Sequence, residues 1–205
     1  GKTTPEVKKT KPALKVIKET AGKPAAQPRA SQAQRLISHP VNNNVNFREV
    51  KGGDARKAVL GDQTAPVDAG IIWNKGIQEQ GIPWEDFLTR QLPPGSRLPK
   101  NYKTFDFRDR LTQGVISAKT LNTNTASRIG DPKKVYYSLK RNIDAAARFE
   151  GHALSEVEIT AEMITSREVH VAVPRETVST QWEQILRAVE YGKAKGVILK
   201  VTETF

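Results

Sequence analysis

Hydrophobic and polar residues alternate in two short runs near the middle of the chain, TFDF at 104–107 and VISAK at 115–119. A period of two is typical of β-strands with one buried face, so we predict two strands joined by a turn. The face expected to enter the core carries Phe105, Phe107 and Ile116. The opposite face is expected to place a carboxylate, a hydroxyl and an ammonium group along one open edge, from Asp106, Ser117 and Lys119.

A helical period precedes the strands, in the segment IPWEDFLTRQLPPG. Trp84, Leu88 and Leu92 recur at i, i+4 and i+8 and predict a buried stripe. Pro83 suits the first turn of this helix, and the prolines at 93–94 followed by glycine are expected to end it.

Two neighbouring carboxylates on this helix differ in their expected surroundings. Glu85 borders the apolar stripe, where a carboxylate needs a partner, and an arginine of the core would be the ordinary structural explanation. Asp86 falls on the polar side, four residues before Arg90, and is expected to form a solvated i,i+4 ion pair. Glu85 is therefore the candidate for chemistry.

The C-terminal half predicts further helices and strands. Asp131 and Pro132 are typical of a helix start, and the helix is expected to reach about Phe149 with an apolar stripe of Val135, Leu139, Ile143 and Ala146. Alternation at 157–159 and 169–173 predicts a β-hairpin over residues 155–173. A helix over 176–193 follows, with its core positions at Val178, Trp182, Ile185 and Val189, and then a strand over 197–202. We therefore predict an α/β (α+β) fold, in which helices flank a mixed central sheet that carries an added β-hairpin.

The first third of the chain has a different composition, rich in lysine, proline, alanine and polar residues with few aromatics. Such a segment buries too little apolar surface to offset its conformational entropy. We expect residues 1–67 to be a flexible or weakly helical basic lead-in, either a plain linker or a delivery-associated segment, and residues 68–205 to form the folded domain.

Positive charge is concentrated around the predicted strands, in a chain whose net charge is +11. Residues 90–148 hold 13 Lys or Arg against four Asp or Glu, whereas residues 151–205 hold six basic and eight acidic residues. A solvated face explains many basic stripes, but this concentration favours a nucleic-acid backbone as partner. The residues expected to contact it are Arg108, Arg110, Lys134, Arg141 and Arg148. No apolar run approaches the roughly 18 residues that span a bilayer.

The candidate residues favour a bound cation. Carboxylates of Glu85 and Asp106 at about 4 Å would repel by roughly 4 kcal/mol at an effective dielectric near 20. Cysteine is absent, so a metal has to use oxygen or imidazole ligands, and oxygen suits Mg²⁺, Mn²⁺ or Zn²⁺. Such an ion polarises a phosphodiester and acidifies a bound water, which Lys119 could orient or help to deprotonate.

These residues resemble the restriction-endonuclease-like nucleases of the PD-(D/E)xK superfamily, and most of all the zinc-dependent DNase type of C-terminal toxin domain found in CdiA proteins of contact-dependent growth inhibition. The resemblance covers about residues 69–205 and rests on Glu85 in PWEDFL, Asp106 in TFDF, and Ser117 and Lys119 in ISAKT. It implies a restriction-endonuclease-like core and four catalytic residues, of which Glu85, Asp106 and Ser117 would hold the metal. Zn²⁺ is the first expectation, with Mg²⁺ or Mn²⁺ as alternatives. Ser117 replaces the usual middle carboxylate, which favours one ion over two.

The resemblance also implies a partner and a place of action. A cognate immunity protein would bind a toxin β-hairpin that extends its sheet. We assign this role to the predicted 155–173 hairpin, through Glu156, Glu158, Thr160, Glu162, Arg167 and Val169. The chain would be a C-terminal fragment of a secreted or cell-surface protein that acts in the cytoplasm of a neighbouring bacterium.

Two other functions stay open. Related toxins on this fold cut tRNA, and no motif here separates an RNase from a DNase. A non-catalytic nucleic-acid-binding module would explain the basic charge, but it would leave Glu85 and Asp106 repelling phosphate without a purpose.

Overall fold

The structure, a computed structural model, describes residues 52–63 and 65–205. The helices in this part of the chain are α1 (Gly52–Leu60), α2 (Ile77–Gln91), α3 (Ala126–Gly130), α4 (Lys133–Arg148) and α5 (Ser179–Ala194). The strands are β1 (Phe107–Arg108), β2 (Val115–Thr120), β3 (Gly151–Leu154), β4 (Val157–Thr160), β5 (Arg167–Pro174) and β6 (Val197–Thr204). The mixture of helices and strands agrees with the predicted fold class.

The central sheet is mixed and has the strand order β1-β2-β5-β6. β1 is antiparallel to β2, whereas β2, β5 and β6 run parallel to one another. Parallel neighbours need a crossover connection, and α4 and α5 provide the two crossovers here. β3 and β4 form a separate two-stranded sheet.

Each face of the central sheet has its own core. Odd-numbered residues of β2, β5 and β6 join the larger cluster with α1, α4 and α5, and they include Val115, Val169, Val171, Val197 and Leu199. The other face packs beneath α2, where Trp84, Leu88 and Leu92 meet Phe107 and Ile116. The indole of Trp84 donates to the carbonyl of His170 at 3.1 Å and so fixes α2 on the sheet. The buried stripe predicted for α2 is confirmed.

The N-terminal boundary of α2 differs from the prediction. The helix begins at Ile77, so Pro83 lies inside it instead of in its first turn. An internal proline leaves the carbonyl four residues earlier without its helical donor. That carbonyl belongs to Glu79, and it accepts from the backbone N–H of Ile72 at 3.1 Å. The incoming chain thus satisfies the group that Pro83 cannot.

The predicted 155–173 hairpin is wrong. β4 pairs with β3 through a tight turn at Ser155 and Glu156, whose φ angles are +52° and +65°. β5 lies instead in the middle of the central sheet between β2 and β6. The alternation at 169–173 is real, but every residue from Glu168 to Pro174 is buried because both faces of β5 are covered.

The prediction for Phe105 also needs correction. Phe105 packs in the larger cluster and Phe107 in the cluster beneath α2, so the two rings lie on opposite sides of the sheet. Thr104 has a φ of +68°, and the N–H of Phe105 donates to the carbonyl of Lys103 at 2.7 Å. The chain is therefore turned before Asp106, and a period of two does not extend across it.

The remaining predictions outside the site have mixed outcomes. The stripes of α4 and α5 are buried as expected, except that Val178 precedes α5 and is 49% exposed. Part of the predicted lead-in is packed, since α1 buries Ala55, Val59 and Leu60 and Arg56 pairs with Glu203 on β6. The folded region therefore includes residues before 68. The predictions for residues 1–51 lie outside the described residues. In the part of the chain that the structure describes, no helix combines the length and apolarity that a membrane crossing requires.

Candidate active site

Asp106 is held by hydrogen bonds on both of its sides. Its carbonyl accepts from Leu98 N–H and its N–H donates to the carbonyl of Ile116, both at 2.9 Å. Its carboxylate oxygen Oδ2 accepts from the backbone N–H of Ala118 at 2.7 Å. The carboxylate therefore lies across the edge of β2, and the backbone pairing places residue 106 opposite Ser117.

Ser117 and Lys119 follow on β2, two residues apart. Lys119 is exposed, but only 2% of Ser117 is accessible. The expectation that all three groups line one open edge is therefore wrong for Ser117. In the β2–β5 pairing, Ser117 lies beside Val169, which belongs to the larger core cluster.

Glu85 reaches the site from α2 and is tied by Arg97. Nη2 of Arg97 contacts Oε1 of Glu85 at 3.1 Å, and Nη1 contacts Oδ1 of Asp86, also at 3.1 Å. The predicted Asp86–Arg90 pair is wrong, since the Arg90 guanidinium lies over the Phe87 ring instead, 5.9 Å from its centroid. Glu85 does have an arginine partner, but one that is exposed and outside the core.

Arg97 is the site residue that sequence reasoning missed. Its segment forms a bridge with Phe107, which brings it beside Asp106. The available signal was position, because Arg97 stands just beyond the turn that ends α2 and so folds back over that helix.

Asp106 lies in surroundings that disfavour its negative charge. Burial raises the pKa of its carboxyl group from 3.8 to about 6, and the negative charge of Glu85 acts in the same direction. The hydrogen bond from Ala118 and the charges of Lys119 and Arg97 oppose this shift. The charges of Glu85 and Lys119 thus both act on the carboxyl group of Asp106.

The donor set of the site suits a hard cation. It contains two carboxylates, from Glu85 and Asp106, and the hydroxyl of Ser117. Within residues 52–63 and 65–205, no three Asp, Glu or His side chains converge as a ready metal cage. An ion here would therefore complete its coordination with water or substrate oxygens, as catalytic sites require.

The five predicted phosphate-binding residues do not form one continuous surface. Lys134 and Arg141 line a cavity of about 720 Å³ together with Arg128. Arg110 and Arg148 are exposed outside that cavity. Arg108 is partly buried, and burial together with the charge of Arg110 lowers its pKa.

The predicted immunity-binding residues are also divided. Glu156 and Glu158 are exposed and Thr160 is partly exposed on the β3–β4 hairpin, and Glu162 follows in a short 3₁₀ turn (Ala161–Met163). Val169 is fully buried in β5. The Arg167 guanidinium donates to the carbonyls of Ala146, Ala147 and Phe149 at the end of α4. Arg167 and Val169 therefore have structural roles.

Comparison with known proteins identifies the family of this chain. The model of the EC869-like CDI toxin family, described as a CDI toxin restriction endonuclease-like domain, matches residues 80–202. The chain belongs to this family. All four candidate residues and Arg97 lie within the matched region of this CDI toxin domain.

Two curated relatives carry names that state an activity. "Deoxyribonuclease CdiA" of Yersinia pseudotuberculosis serotype O:3 (strain YPIII) is 48% identical over 160 residues, which are 74% of this chain and 15% of the relative. "Deoxyribonuclease CdiA-o11" of Escherichia coli O157:H7 (strain EC869) is 47% identical over 143 residues, which are 68% of this chain and 38% of the relative. The CDI toxin domain thus corresponds to less than two fifths of either relative.

A solved structure is similar as well. A chain of the CdiA-CT/CdiI toxin and immunity complex from Yersinia pseudotuberculosis superimposes with a TM-score of 0.56 at 50% sequence identity. The match covers 60% of this chain and 99% of that one. The restriction-endonuclease-like architecture expected from the sequence is confirmed.

Proposed function

We propose that this domain is a metal-dependent endonuclease that hydrolyses phosphodiesters of DNA as the toxic part of a contact-dependent growth inhibition protein. The observation that carries the proposal is that the charges of Glu85 and of the exposed Lys119 both act on the largely buried carboxylate of Asp106. The names of the two relatives favour DNA over RNA as the substrate. DNA is found in the cytoplasm of the target bacterium, which is where such a toxin would act.

A divalent cation fits the residues present. Glu85 and Asp106 would hold it, and Ser117 would contribute through its hydroxyl oxygen or through a water molecule. Zn²⁺ is our first choice, with Mg²⁺ and Mn²⁺ as alternatives. When bound, the ion would polarise the scissile phosphodiester and acidify a water molecule.

The side chains around the ion have distinct tasks. The Lys119 ammonium would orient the attacking water and offset negative charge that develops on the phosphate oxygens. Arg97 holds Glu85 in place through a contact of 3.1 Å, and so acts as a positioning residue. The hydrogen bond from Ala118 fixes the Asp106 carboxylate against rotation.

A nuclease assay with Lys119→Met tests the proposal. Purified wild-type protein should nick supercoiled plasmid in the presence of Zn²⁺, Mg²⁺ or Mn²⁺ and lose this activity with EDTA. Lys119→Met should lower the cleavage rate by about a hundredfold or more, because it removes the proposed charge stabilisation. Since Lys119 is exposed, the melting temperature should be unchanged.

Two controls separate the alternatives. Degradation of tRNA with plasmid left intact would establish an RNase instead. A non-catalytic binding module should bind DNA at least as well after Asp106→Ala, and it should cleave nothing under any of these metals.

We further propose that a cognate immunity protein docks on the β3–β4 hairpin by β-augmentation. A strand of the immunity protein would pair with one edge of the hairpin, so that a single sheet spans both proteins. The hairpin is a separate two-stranded sheet, packed on the larger core through Ile159, and it exposes the carboxylates of Glu156 and Glu158. Tyr102 anchors its base, since the phenol donates to the carbonyls of His152 and Val157 at 2.6 and 3.2 Å.

Charge reversal on the hairpin tests this docking mode. Glu156→Lys combined with Glu158→Lys should weaken immunity binding at least tenfold, because like charges at an interface are unfavourable. Plasmid cleavage should persist. The matched control is Glu183→Lys with Glu190→Lys on α5, which changes the charge equally at a distance from the hairpin. Equal effects of the two pairs on immunity binding would overturn the docking assignment.

A further inference from the structure

A cavity of about 720 Å³ lies where the loop after β2, helix α3 and the first turns of α4 meet. Its lining consists of three cationic and four hydroxyl-bearing side chains: Thr125, Ser127, Arg128, Lys134, Tyr137, Ser138 and Arg141. It contains no carboxylate. A lining of this composition is suited to an anion that offers several acceptor oxygens.

Among the residues that the structure describes, no carboxylate forms an ion pair with any of the three cations. Lys134 contacts the hydroxyl of Ser127 at 3.4 Å, and Arg141 contacts that of Ser138 at 3.3 Å. Burial and the nearby charge of Arg141 both lower the pKa of Arg128. The cavity therefore concentrates positive charge that is not neutralised within it.

Arg128 is held in the cavity lining by hydrogen bonds from its side chain and its backbone. Its Nη1 donates to the carbonyl of Asn122 at 3.0 Å, and its backbone N–H donates to the hydroxyl of Thr125 at 3.3 Å. Behind it, the buried amide of Gln181 donates to the carbonyls of Thr123 and Arg128 at 2.8 and 3.3 Å. The loop is thus held in one conformation by α5.

The position of the cavity links it to the candidate active site. Asn122 is three residues beyond Lys119, and three extended residues span at most about 10 Å. Lys119 shares its face of β2 with Val115, which packs in the same core cluster as Val135 of α4. A nucleic-acid strand leaving the Glu85–Asp106 site past Lys119 would therefore reach the cavity within a few nucleotides.

We infer that this cavity is a subsite for a backbone phosphate of the DNA strand flanking the scissile phosphodiester. Arg128, Lys134 and Arg141 contact its non-bridging oxygens, and the hydroxyl groups complete the site. The subsite sets the register of the strand on the catalytic residues. This inference rests on the proposed endonuclease function and adds a discrete contact to it. It narrows the predicted contact residues on α4, the basic stripe of Lys134, Arg141 and Arg148, to the first two.

The stripe itself supplies a matched control. Arg148 lies on the same face of α4 as Lys134 and Arg141 but outside the cavity, and all three side chains are exposed. If DNA is held only by diffuse electrostatic attraction, Arg141→Gln and Arg148→Gln should weaken DNA binding equally. A discrete subsite makes Arg141→Gln much the more harmful of the two.

Equilibrium binding to a short duplex in EDTA tests the inference without relying on cleavage. Arg141→Gln and Lys134→Gln should each raise Kd about tenfold and reduce the slope of log K against log salt by about one, whereas Arg148→Gln should raise Kd less than threefold. A single uncharged methylphosphonate, moved along the duplex, should weaken wild-type binding most at one position. The Lys134→Gln/Arg141→Gln double variant should be insensitive at that same position. Equal effects of Arg141→Gln and Arg148→Gln, or no sensitive position, would overturn the subsite.

Cleavage assays keep this test separate from that of the proposed function. With metal present, the double variant should raise KM for plasmid much more than it lowers kcat. Its loss of kcat/KM on plasmid should exceed its loss on bis(4-nitrophenyl) phosphate at least tenfold, because that small diester has no flanking phosphate. A wild-type protein that binds DNA through the cavity but cleaves neither substrate would contradict the endonuclease and leave the subsite standing. If the wild type cleaves DNA and the double variant behaves like Arg148→Gln, the endonuclease proposal stands and the subsite is contradicted.

Discussion

Replacing Asp106 by asparagine is expected to abolish cleavage and at the same time to stabilise the metal-free fold. Cleavage should fall at least about a thousandfold, because the site loses one of its two anionic ligands and with it several kcal/mol of transition-state stabilisation. Asparagine keeps the shape of the side chain and can still accept from Ala118 N–H. It removes only the charge whose burial raises the pKa of Asp106 to about 6.

The direction of the stability effect follows from proton linkage. The folded protein holds the Asp106 proton more tightly than the unfolded chain does, so its contribution to stability is fully present below pH 3.8 and is lost as the pH rises through 6. At pH 7 the charged carboxylate destabilises the wild type by about 2 to 3 kcal/mol, and the Asn variant avoids this penalty.

Urea unfolding in EDTA at pH 4 to 8 measures this effect. The gain of Asp106→Asn over wild type should be smallest near pH 4, grow between pH 4 and 6, and be largest at pH 7 to 8. Asp86→Asn is the matched control, since it changes a carboxylate that also contacts Arg97 but is about half exposed. Saturating Zn²⁺ should reverse the order of stability, because it binds the wild-type site preferentially. An Asn variant less stable than wild type at pH 7 in EDTA would mean that the Asp106 charge is already compensated.

The same residue shows what the sequence could and could not reveal. The residue pattern together with the family resemblance selects Glu85, Asp106, Ser117 and Lys119, because a strand Asp followed by a polar-x-Lys strand, after a helical Glu and inside a basic region, is moderately specific. Their functional roles stay predictions. The burial of Ser117 could not be predicted, because it depends on β5, a strand distant in sequence.

Errors in the predicted fold have one physical source. Period-two alternation identifies a strand but not its partner, so the alternations at 157–159 and 169–173 predict a hairpin in which the two strands pair with each other. The observed partners are β3 for the first strand and β2 and β6 for the second. Pro83 likewise predicts a helix start. The hydrogen bond that allows it inside the helix comes from the backbone N–H of Ile72, which lies outside that helix. Local patterns thus predicted the elements well, whereas tertiary hydrogen bonds decided their pairing and their boundaries.

A second large effect is expected at a buried charge cluster on the α2 face of the sheet. Oε1 of Glu168 lies 2.7 Å from Nε2 of His170 and 3.7 Å from Nζ of Lys200. Burial acts to raise the pKa of Glu168, but the hydrogen bond to His170 and the charge of Lys200 outweigh it and lower that pKa below 4.5. Burial also lowers the pKa of His170 below 6.5. The cluster is therefore most stable with Glu168 charged and His170 neutral.

Glu168→Gln should destabilise the fold by about 2 to 3 kcal/mol at pH 7, because it leaves the largely buried Lys200 ammonium without its counter-ion. Chemical denaturation gives the free energy of unfolding directly. The double change Glu168→Leu with Lys200→Met should recover most of this loss, since removing both partners leaves no uncompensated charge. A double variant as unstable as Glu168→Gln would show that packing, and not charge pairing, makes Glu168 important.

The two buried sites are expected to oppose each other in acid. As the pH falls below 6.5, His170 resists protonation in the folded state, so its contribution to stability is lost, and that of Glu168 is lost below 4.5. The contribution of Asp106 to the stability of the fold increases over the same interval, as its carboxylate takes up a proton. The metal-free wild type should therefore show a shallow dependence on pH between 4 and 6.5, and Asp106→Asn should show a steep loss towards acid. Equal slopes for the two proteins would contradict the opposing titrations and locate the acid sensitivity elsewhere in the chain.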